Sequence, residues 1–209
     1  HSFPTRRSSD LLMTLASCDS RKTAGENPFF TEWDTPHGVP PFDKILPEHF
    51  MPAFERGMSL HEAEIDAITS NKDEATFENT ILAYDNAGQM LAQTELVFGM
   101  LCAAETNDRM QALQEQAMPL LAAHRDKIRL DDKLFVRVKE VYDRRAALGL
   151  DAEQMRLLQK TYDSFVRAGA LLDAEQKARL KEINGQLSLT AVKFGNNILA
   201  ENNNFVLEL

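Results

Sequence analysis

Helical periodicity, broken up by residues that cap helices, most constrains the fold of this chain. From Leu46 onward, apolar residues recur every three or four positions, the spacing that places them on one face of a helix. Two of these runs begin with the same tetrad, Asp-Ala-Glu-Gln, at residues 151–154 and 173–176. In each tetrad the aspartate accepts hydrogen bonds from free backbone N–H groups, and the glutamine reaches back to the cap. The body is therefore predicted to be all-α, with the tetrads interpreted as helix caps rather than as a structural repeat.

Single capping residues predict the helices in the middle of the chain. Thr76 is predicted to cap one long helix that runs to about Ala104, and Asn107 to cap the helix that follows. Pro119 lies inside that following helix, where it lacks the N–H that would donate to the preceding turn. We therefore expect a kink or a break into two pieces at Pro119.

Further boundaries are predicted from aspartate, glycine and proline. Asp131 or Asp132 is expected to begin a helix, and Gly149 lies just past its end as a residue suited to a helix C-terminus. Pro52 and Gly57 are expected to bend or interrupt the first long helix.

The apolar pattern changes near the end of the chain. The last helix is predicted to begin at Ala174, and the polar segments 195–197 and 202–204 interrupt its apolar pattern. From Phe205 to Leu209, apolar residues alternate as they do at the start of a strand. We expect this strand to continue beyond Leu209, so that the chain is a fragment of a longer protein.

Composition indicates one large globular body. The chain has 209 residues, of which 44% are hydrophobic, and its net charge is −9. An acidic chain without a block of lysine or arginine argues against nucleic acid as a partner. Of its two cysteines, Cys102 lies on a predicted helix and is expected to pack as a small apolar group.

Residues 1–11 are unlike the start of a natural protein. They lack an initiator methionine and resemble the conceptual translation of a sequencing-library adapter. The alternative is the basic n-region of a signal peptide, which Arg6 and Arg7 would suit.

Residues 12–18 resemble the end of a bacterial lipoprotein signal peptide. Their apolar run closes with Leu-Ala-Ser-Cys, in which small residues precede the thiol of Cys18 that would carry the lipid. A secretory signal without lipid is the alternative. The run is far shorter than the about 20 residues that cross a bilayer. We expect a lipid on Cys18, a polar tether over residues 19–26, and attachment to the bacterial cell envelope, periplasmic or at the outer membrane, without a membrane span.

Residues 27–45 are rich in proline and aromatic residues and are predicted to form an extended strap. This strap and the helix after it resemble the N-terminus of peptidyl-dipeptidases in the thimet oligopeptidase family of zinc metallopeptidases. The resemblance continues in order through Thr76–Ile81, Phe165–Leu172 and Lys193–Glu201. It covers about residues 27–209.

This resemblance implies a fold and a function. In that family two helical lobes face each other across a deep channel. Residues 46–209 are therefore expected to be the N-terminal helical lobe of a neurolysin-like zinc peptidase, truncated before the catalytic lobe, with the polar segments 195–197 and 202–204 forming turns or lining the channel. The implied activity of the parent is removal of C-terminal dipeptides from short peptides, its partners, with Zn²⁺ as cofactor. An oligopeptidase making internal cuts and a non-catalytic helical interaction module are the alternatives.

The family's catalytic centre is a His-Glu-x-x-His helix, and this sequence contains no such motif. Residues 61–65, His-Glu-Ala-Glu-Ile, begin like one, but Ile65 stands where the second ligand belongs, and an alkyl group cannot bind zinc. His61 and Glu62 are therefore expected on a solvated helix face, and His124 in packing or an ion pair near a helix end. No catalytic, metal-binding or substrate-binding residue is predicted, and the isolated chain is expected to be inactive.

Overall fold

A computed structural model describes residues 27–206; the predictions for residues 1–26, including Cys18, and for residues 207–209 lie outside the described residues. Within this range the secondary structure is helical and no β-strand occurs, which confirms the predicted all-α class. The α-helices are α1 (Phe50–Ser70), α2 (Ala83–Asp85), α3 (Gln89–Ala104), α4 (Asp108–Arg129), α5 (Asp132–Asp143), α6 (Ala152–Arg167) and α7 (Ala174–Asn204). Short 3₁₀ turns span Pro28–Phe30, Pro36–Gly38, Pro47–His49 and Arg145–Ala147.

The strap of residues 27–45 is held to the helical body near both of its ends. The side-chain N–H of Asn27 donates to the backbone carbonyl of His49 at 2.8 Å. Phe29 is buried with its ring centroid 5.3 Å from that of Phe50, and Ile45 is buried in the same cluster. These contacts fix the path of a segment that has no long helix of its own.

The first long helix is one element, so the alternative of an interruption at Pro52 or Gly57 was wrong. Pro52 lies in the first turn of α1, where a missing N–H removes no helical hydrogen bond. Gly57 lies against α3, and a Cβ added to it would come within 3.0 Å of the Cα of Leu91. The glycine therefore allows the two helices to approach closely.

The prediction of a single helix from Thr76 to Ala104 was wrong, because the chain forms separate helical elements over this range. The side chain of Thr76 does cap a helix, accepting from the N–H of Asn79 at 3.1 Å, but this helix is a π-helical turn, Phe77–Leu82, that continues into the short α2. The backbone then turns through Gly88, which has a left-handed φ of +73°, before α3 begins.

The other predicted N-caps are confirmed. Side-chain oxygens of the four capping residues accept from the backbone N–H three positions later, at 3.1 Å for Asn107 and 2.8 Å for Asp131, Asp151 and Asp173. The glutamines of both tetrads complete the reciprocal bond. Gly149 adopts the expected left-handed conformation, with φ +64°, but it follows the 3₁₀ turn after α5 rather than α5 itself.

Pro119 does not divide its helix: α4 is one element from Asp108 to Arg129. The alternative of two pieces was therefore wrong. Ala117 and Leu121 on either side of the proline are both buried in the core. Glu115, whose carbonyl would otherwise pair with the missing N–H, lies on the exposed side. Burial of the flanking turns offsets the loss of one hydrogen bond.

The described residues form two apolar cores that share α1 and α4. The first core joins the strap, the N-terminal half of α1, α3 and α4, with Phe29, Phe50, Phe54, Phe98 and Leu121 among its members. The second core joins the C-terminal half of α1, the π-helical turn, α5 and α6, with Ile65, Ile81, Ile128, Leu134 and Phe165 among its members. Both α1 and α4 contribute to each core.

The chain end differs from the prediction within the described residues. Segments 195–197 and 202–204 belong to α7, so they do not form turns. Phe205 is extended, with φ −71° and ψ 122°, but it is not part of a strand in the described residues. Residues 27–206 contain no helix with the length and hydropathy needed to cross a membrane.

Candidate functional site

The last helix, α7, is the most exposed large element among the described residues. Its 31 residues pack chiefly on α4, and only Lys177 and Val192 are buried. Two polar contacts fix its direction: the amide of Asn184 donates to Asp126 at 2.9 Å, and Lys177 pairs with Asp132. One side of α7 is therefore held on α4, while the rest of its circumference faces outward.

An apolar stripe runs along the outward side of α7. It consists of Ile183, Leu187, Phe194 and Ile198, whose side chains are 43%, 60%, 66% and 46% exposed. Their spacing of four, seven and four residues places them within a narrow arc of the helix. An exposed apolar stripe along one side of a helix is typical of a surface that another protein segment covers.

Introducing charge into the α7 stripe is expected to reduce self-association of the chain. At concentrations of tens of micromolar, we expect the unmodified chain to associate and to bind a hydrophobic dye, because apolar patches above roughly a few hundred Å² favour contact. The double variant Leu187→Glu, Phe194→Glu should sediment as a monomer with less dye fluorescence and unchanged helical circular dichroism. Lys193→Glu changes charge on the same helix without touching the stripe and serves as the control; equal association of all three proteins would contradict the assignment.

Two histidines meet between α1 and α4. Nε2 of His124 lies 3.1 Å from Nδ1 of His61, a hydrogen-bond distance. On the other side of its ring, Nδ1 of His124 lies 3.5 Å from a carboxylate oxygen of Glu62, which also pairs with Lys127 at 2.7 Å. His124 is only 5% exposed and His61 is half-buried. The expectation of a solvated face was therefore wrong for His61, whereas the Glu62 side chain is 37% exposed at the edge of the contact. The packing role expected for His124 is confirmed.

The environment of the two rings favours their neutral forms. Burial lowers the pKa of His124 from its ordinary value, and this effect outweighs the nearby Glu62 carboxylate. Burial also lowers the pKa of His61, and the neighbouring His124 ring lowers it further. Both pKa shifts have the direction expected for rings that share one hydrogen bond in a partly dehydrated contact.

Gly88 completes this cluster from the turn before α3. Its backbone N–H donates to the Glu64 carboxylate at 2.6 Å. A Cβ at Gly88 would lie 2.9 Å from Nδ1 of His61, so the imidazole occupies the space that a side chain would need. The turn, α1 and α4 therefore meet at one polar contact.

We expect Gly88→Ala to lower the free energy of unfolding by about 1–2 kcal/mol from the left-handed backbone alone, with an additional loss from the contact with His61. Gly99→Ala is the matched control, because Gly99 lies inside α3 with open space around its Cβ position. That control should be stabilising by about 0.5–1 kcal/mol. Urea unfolding measures both, and a neutral or stabilising Gly88→Ala would contradict the packing described.

The described residues do not fit a zinc centre. Residues 27–206 hold no group of three or more His, Cys, Asp or Glu side chains placed to bind a metal ion. The His61–His124 contact brings two imidazoles together, but they bond to each other.

An open cleft of about 860 Å³ lies between the strap and α3. Trp33, Glu32, Gln89 and Gln93 are among its lining residues. The indole N–H of Trp33 donates to the carbonyl of Pro28 at 2.8 Å, so its ring is fixed by the strap itself. The lining of the cleft mixes aromatic and amide groups.

The helical fold and the sequence together indicate the class of protein to which this chain is related. The chain is homologous to the N-terminal region of peptidases of the thimet oligopeptidase family, which confirms the resemblance. It is 41% identical over 176 residues to the dipeptidyl carboxypeptidase of Escherichia coli and 38% identical over 174 residues to that of Salmonella typhimurium. These matches cover 84% and 83% of this chain and 26% of each relative, so the chain spans about a quarter of the length of these relatives.

A second group of relatives is more distant. The chain is 24% identical over 165 residues to oligopeptidase A of Escherichia coli, a match that covers 79% of this chain and 24% of the relative. No protein-family model matches the chain.

Proposed function

We propose that the chain is the N-terminal helical lobe of a longer zinc metallopeptidase that removes dipeptides from the C-termini of short peptides. The observation that carries this proposal is the 41% identity, over 84% of the chain, to a protein named dipeptidyl carboxypeptidase. Short peptides are the proposed partners of the parent protein. The lobe itself is proposed to form part of the binding channel, without residues that take part in the catalytic step.

The exposed side of α7 supports this role for the lobe. A helix held on one side by α4 and apolar on another suits a wall against which the remainder of the parent packs. The polar segments 195–197 and 202–204, on the last turns of α7, are proposed to line the channel beside that wall. A channel between two lobes would admit short peptides and exclude folded proteins by size.

Zinc is proposed to bind outside the described lobe. Because residues 27–206 hold no suitable ligand cluster and the sequence lacks the His-Glu-x-x-His motif, the ligands are assigned to the remaining part of the parent. No catalytic step is assigned to a residue of this chain.

Two other functions remain as alternatives, each favoured by one observation. The 24% identity to oligopeptidase A favours a peptidase that makes internal cuts in short peptides. The two apolar cores formed within residues 27–206 favour a helical interaction module that folds without a catalytic lobe.

The decisive experiment compares the chain with the product of the longer reading frame. The longer protein is expected to hold one zinc ion and to release C-terminal dipeptides from a short N-terminally blocked peptide, whereas the dialysed 209-residue chain should do neither. Internal cleavage products would favour the oligopeptidase. A stop codon directly after Leu209 would favour the interaction module, and stoichiometric zinc on the 209-residue chain would refute the assignment of the ligands.

We also propose that Cys18 is diacylated and that this lipid is the only attachment of the protein to the membrane of the cell envelope. Incorporation of a labelled fatty acid should occur in the unmodified protein and be lost in Cys18→Ser. Cys102→Ser is the matched control, because Cys102 is a half-buried thiol on α3. Equal labelling of the unmodified protein and Cys18→Ser would contradict the proposal.

A further inference from the structure

The two histidines lie between the two apolar cores on both helices that carry them. On α1, His61 lies between Phe54 of the first core and Ile65 of the second. On α4, His124 is placed in the same way, between Leu121 of the first core and Ile128 of the second. A polar contact thus stands where α1 and α4 pass from one core to the other.

We propose that the His61–His124 pair is a pH-sensitive joint between the two cores. The joint is closed when both rings are neutral or when one of them is protonated, and it opens when both rings are protonated. At 3.1 Å, the contact is a hydrogen bond only if one of the two facing nitrogens carries hydrogen and the other does not. One added proton is compatible with this arrangement, because a doubly protonated ring still donates to its neutral neighbour. A second proton leaves N–H facing N–H between two cations.

The carboxylates around the pair partly offset the burial that opposes protonation of the two rings. Glu62 on α1 faces Nδ1 of His124 and stabilises a charge there, while its ion pair with Lys127 on α4 weakens that effect. Glu95 on α3 adds a more distant negative charge, shared with Arg125. Glu64 favours a charge on His61 but is engaged by the N–H of Gly88.

The direction of the pH dependence follows from the two lowered pKa values. Both histidines titrate in the folded protein below the ordinary value of 6.5, whereas in the unfolded chain they titrate near it. As the pH falls below about 6.5, the unfolded chain therefore binds protons that the fold resists binding. Stability is present in full above this pH and is lost progressively as the pH falls toward the folded pKa values.

Opening of the joint is expected to affect the turn before α3, helix α4 and, through α4, helix α7. The imidazole of His61 packs on Gly88, so movement of the ring releases the turn before α3. His124 lies on α4, the helix on which α7 packs. If the protein lies in the cell envelope as proposed above, this joint would respond to external acidity, but the joint itself does not depend on that location.

The first test is urea unfolding of the 209-residue chain at pH 7.5, 6.5 and 5.5. The midpoint urea concentration is expected to fall with pH in the unmodified chain. His61→Asn should make that fall smaller, because the side-chain amide can still pair with Nε2 of His124 but takes no proton, while the fall that comes from the lowered pKa of His124 remains. His37→Asn is the control, since His37 is exposed and its left-handed φ of +60° suits asparagine. The control should retain the full fall, and an equal fall in His61→Asn would refute the joint.

The second test uses the unmodified chain and so does not depend on a variant folding. Imidazole NMR signals of His61 and His124 should titrate together in two coupled steps, both below the ordinary value of 6.5. Hydrogen exchange at Gly88 and in the adjoining turns of α1 and α4 should accelerate with the second step. Independent titration of the two rings near the ordinary value of 6.5, without a change in exchange, would overturn the proposal.

Discussion

Phe54→Ala is expected to lower the free energy of unfolding by about 3–5 kcal/mol, the usual loss for a large aromatic side chain in a core. Phe54 is 1% exposed, and its ring centroid lies 5.3 Å from that of Phe98 in an edge-on contact. It also stacks with Phe50, at 6.2 Å between centroids. Removing the ring would leave a cavity at the point where the strap, α1, α3 and α4 meet.

Phe194→Ala provides the matched control for this prediction. Phe194 is 66% exposed on α7, so its loss changes the surface and not the core. Urea unfolding should show a large decrease in the midpoint for Phe54→Ala and little change for Phe194→Ala. Similar losses in both variants would mean that α7 is covered by contacts that the structure does not contain.

A second large effect is expected for Arg137→Met, which should lower the free energy of unfolding by about 2–4 kcal/mol because three partly buried acceptors lose their charged donor. The guanidinium of Arg137 donates to the carbonyls of Asn71 and Asp73 at 3.0 and 3.1 Å, and to the side-chain oxygen of Asn79 at 3.1 Å. It therefore fastens the loop after α1 to α5. Arg137 is 9% exposed, so water cannot easily replace it.

Two variants make this prediction specific. Arg137→Lys keeps the charge but not the planar fork that reaches several acceptors, and should recover only part of the loss. Lys133→Met removes a charge from the exposed side of the same helix and should change the unfolding midpoint little. Hydrogen exchange should accelerate in the loop at residues 71–76 for Arg137→Met alone; unchanged protection there would contradict the role assigned to the guanidinium.

The uncovered stripe on α7 connects these stability predictions to the proposed function. Both cores lie within residues 27–206, yet α7 contributes to neither of them. Substitutions at Phe54 or Arg137 should therefore destabilise the body, whereas changes at Leu187 or Phe194 should alter only what the body can bind. This separation is what a lobe that packs against a further part of the parent requires.

Helix boundaries were predictable from the sequence wherever they depend on neighbouring residues. Asn107, Asp131, Asp151 and Asp173 each cap a helix through a bond to an N–H three positions away. Such a bond forms within one turn and needs no distant partner. The all-α class followed for the same reason, since apolar spacing of three and four residues is a local property of the chain.

The predictions that were wrong concern features that depend on residues distant in the sequence. The chain turns at Gly88 because a carboxylate and an imidazole from α1, more than 20 residues earlier, bind and fill that turn. Pro119 stays inside α4 because its neighbours are buried against other elements. The local pattern of apolar and polar residues around Gly88 and Pro119 does not identify these distant partners.

The sequence by itself determined the helical class, most helix starts, the absence of the family's zinc motif and the relationship to peptidases, because each of these depends on nearby residues or on matched stretches of chain. Only the tertiary structure decided that His61 and His124, 63 residues apart, share one hydrogen bond, and that one face of α7 stays uncovered within the described residues. Contacts of this kind depend on how helices pack, and helix packing sums many weak interactions between distant parts of the chain.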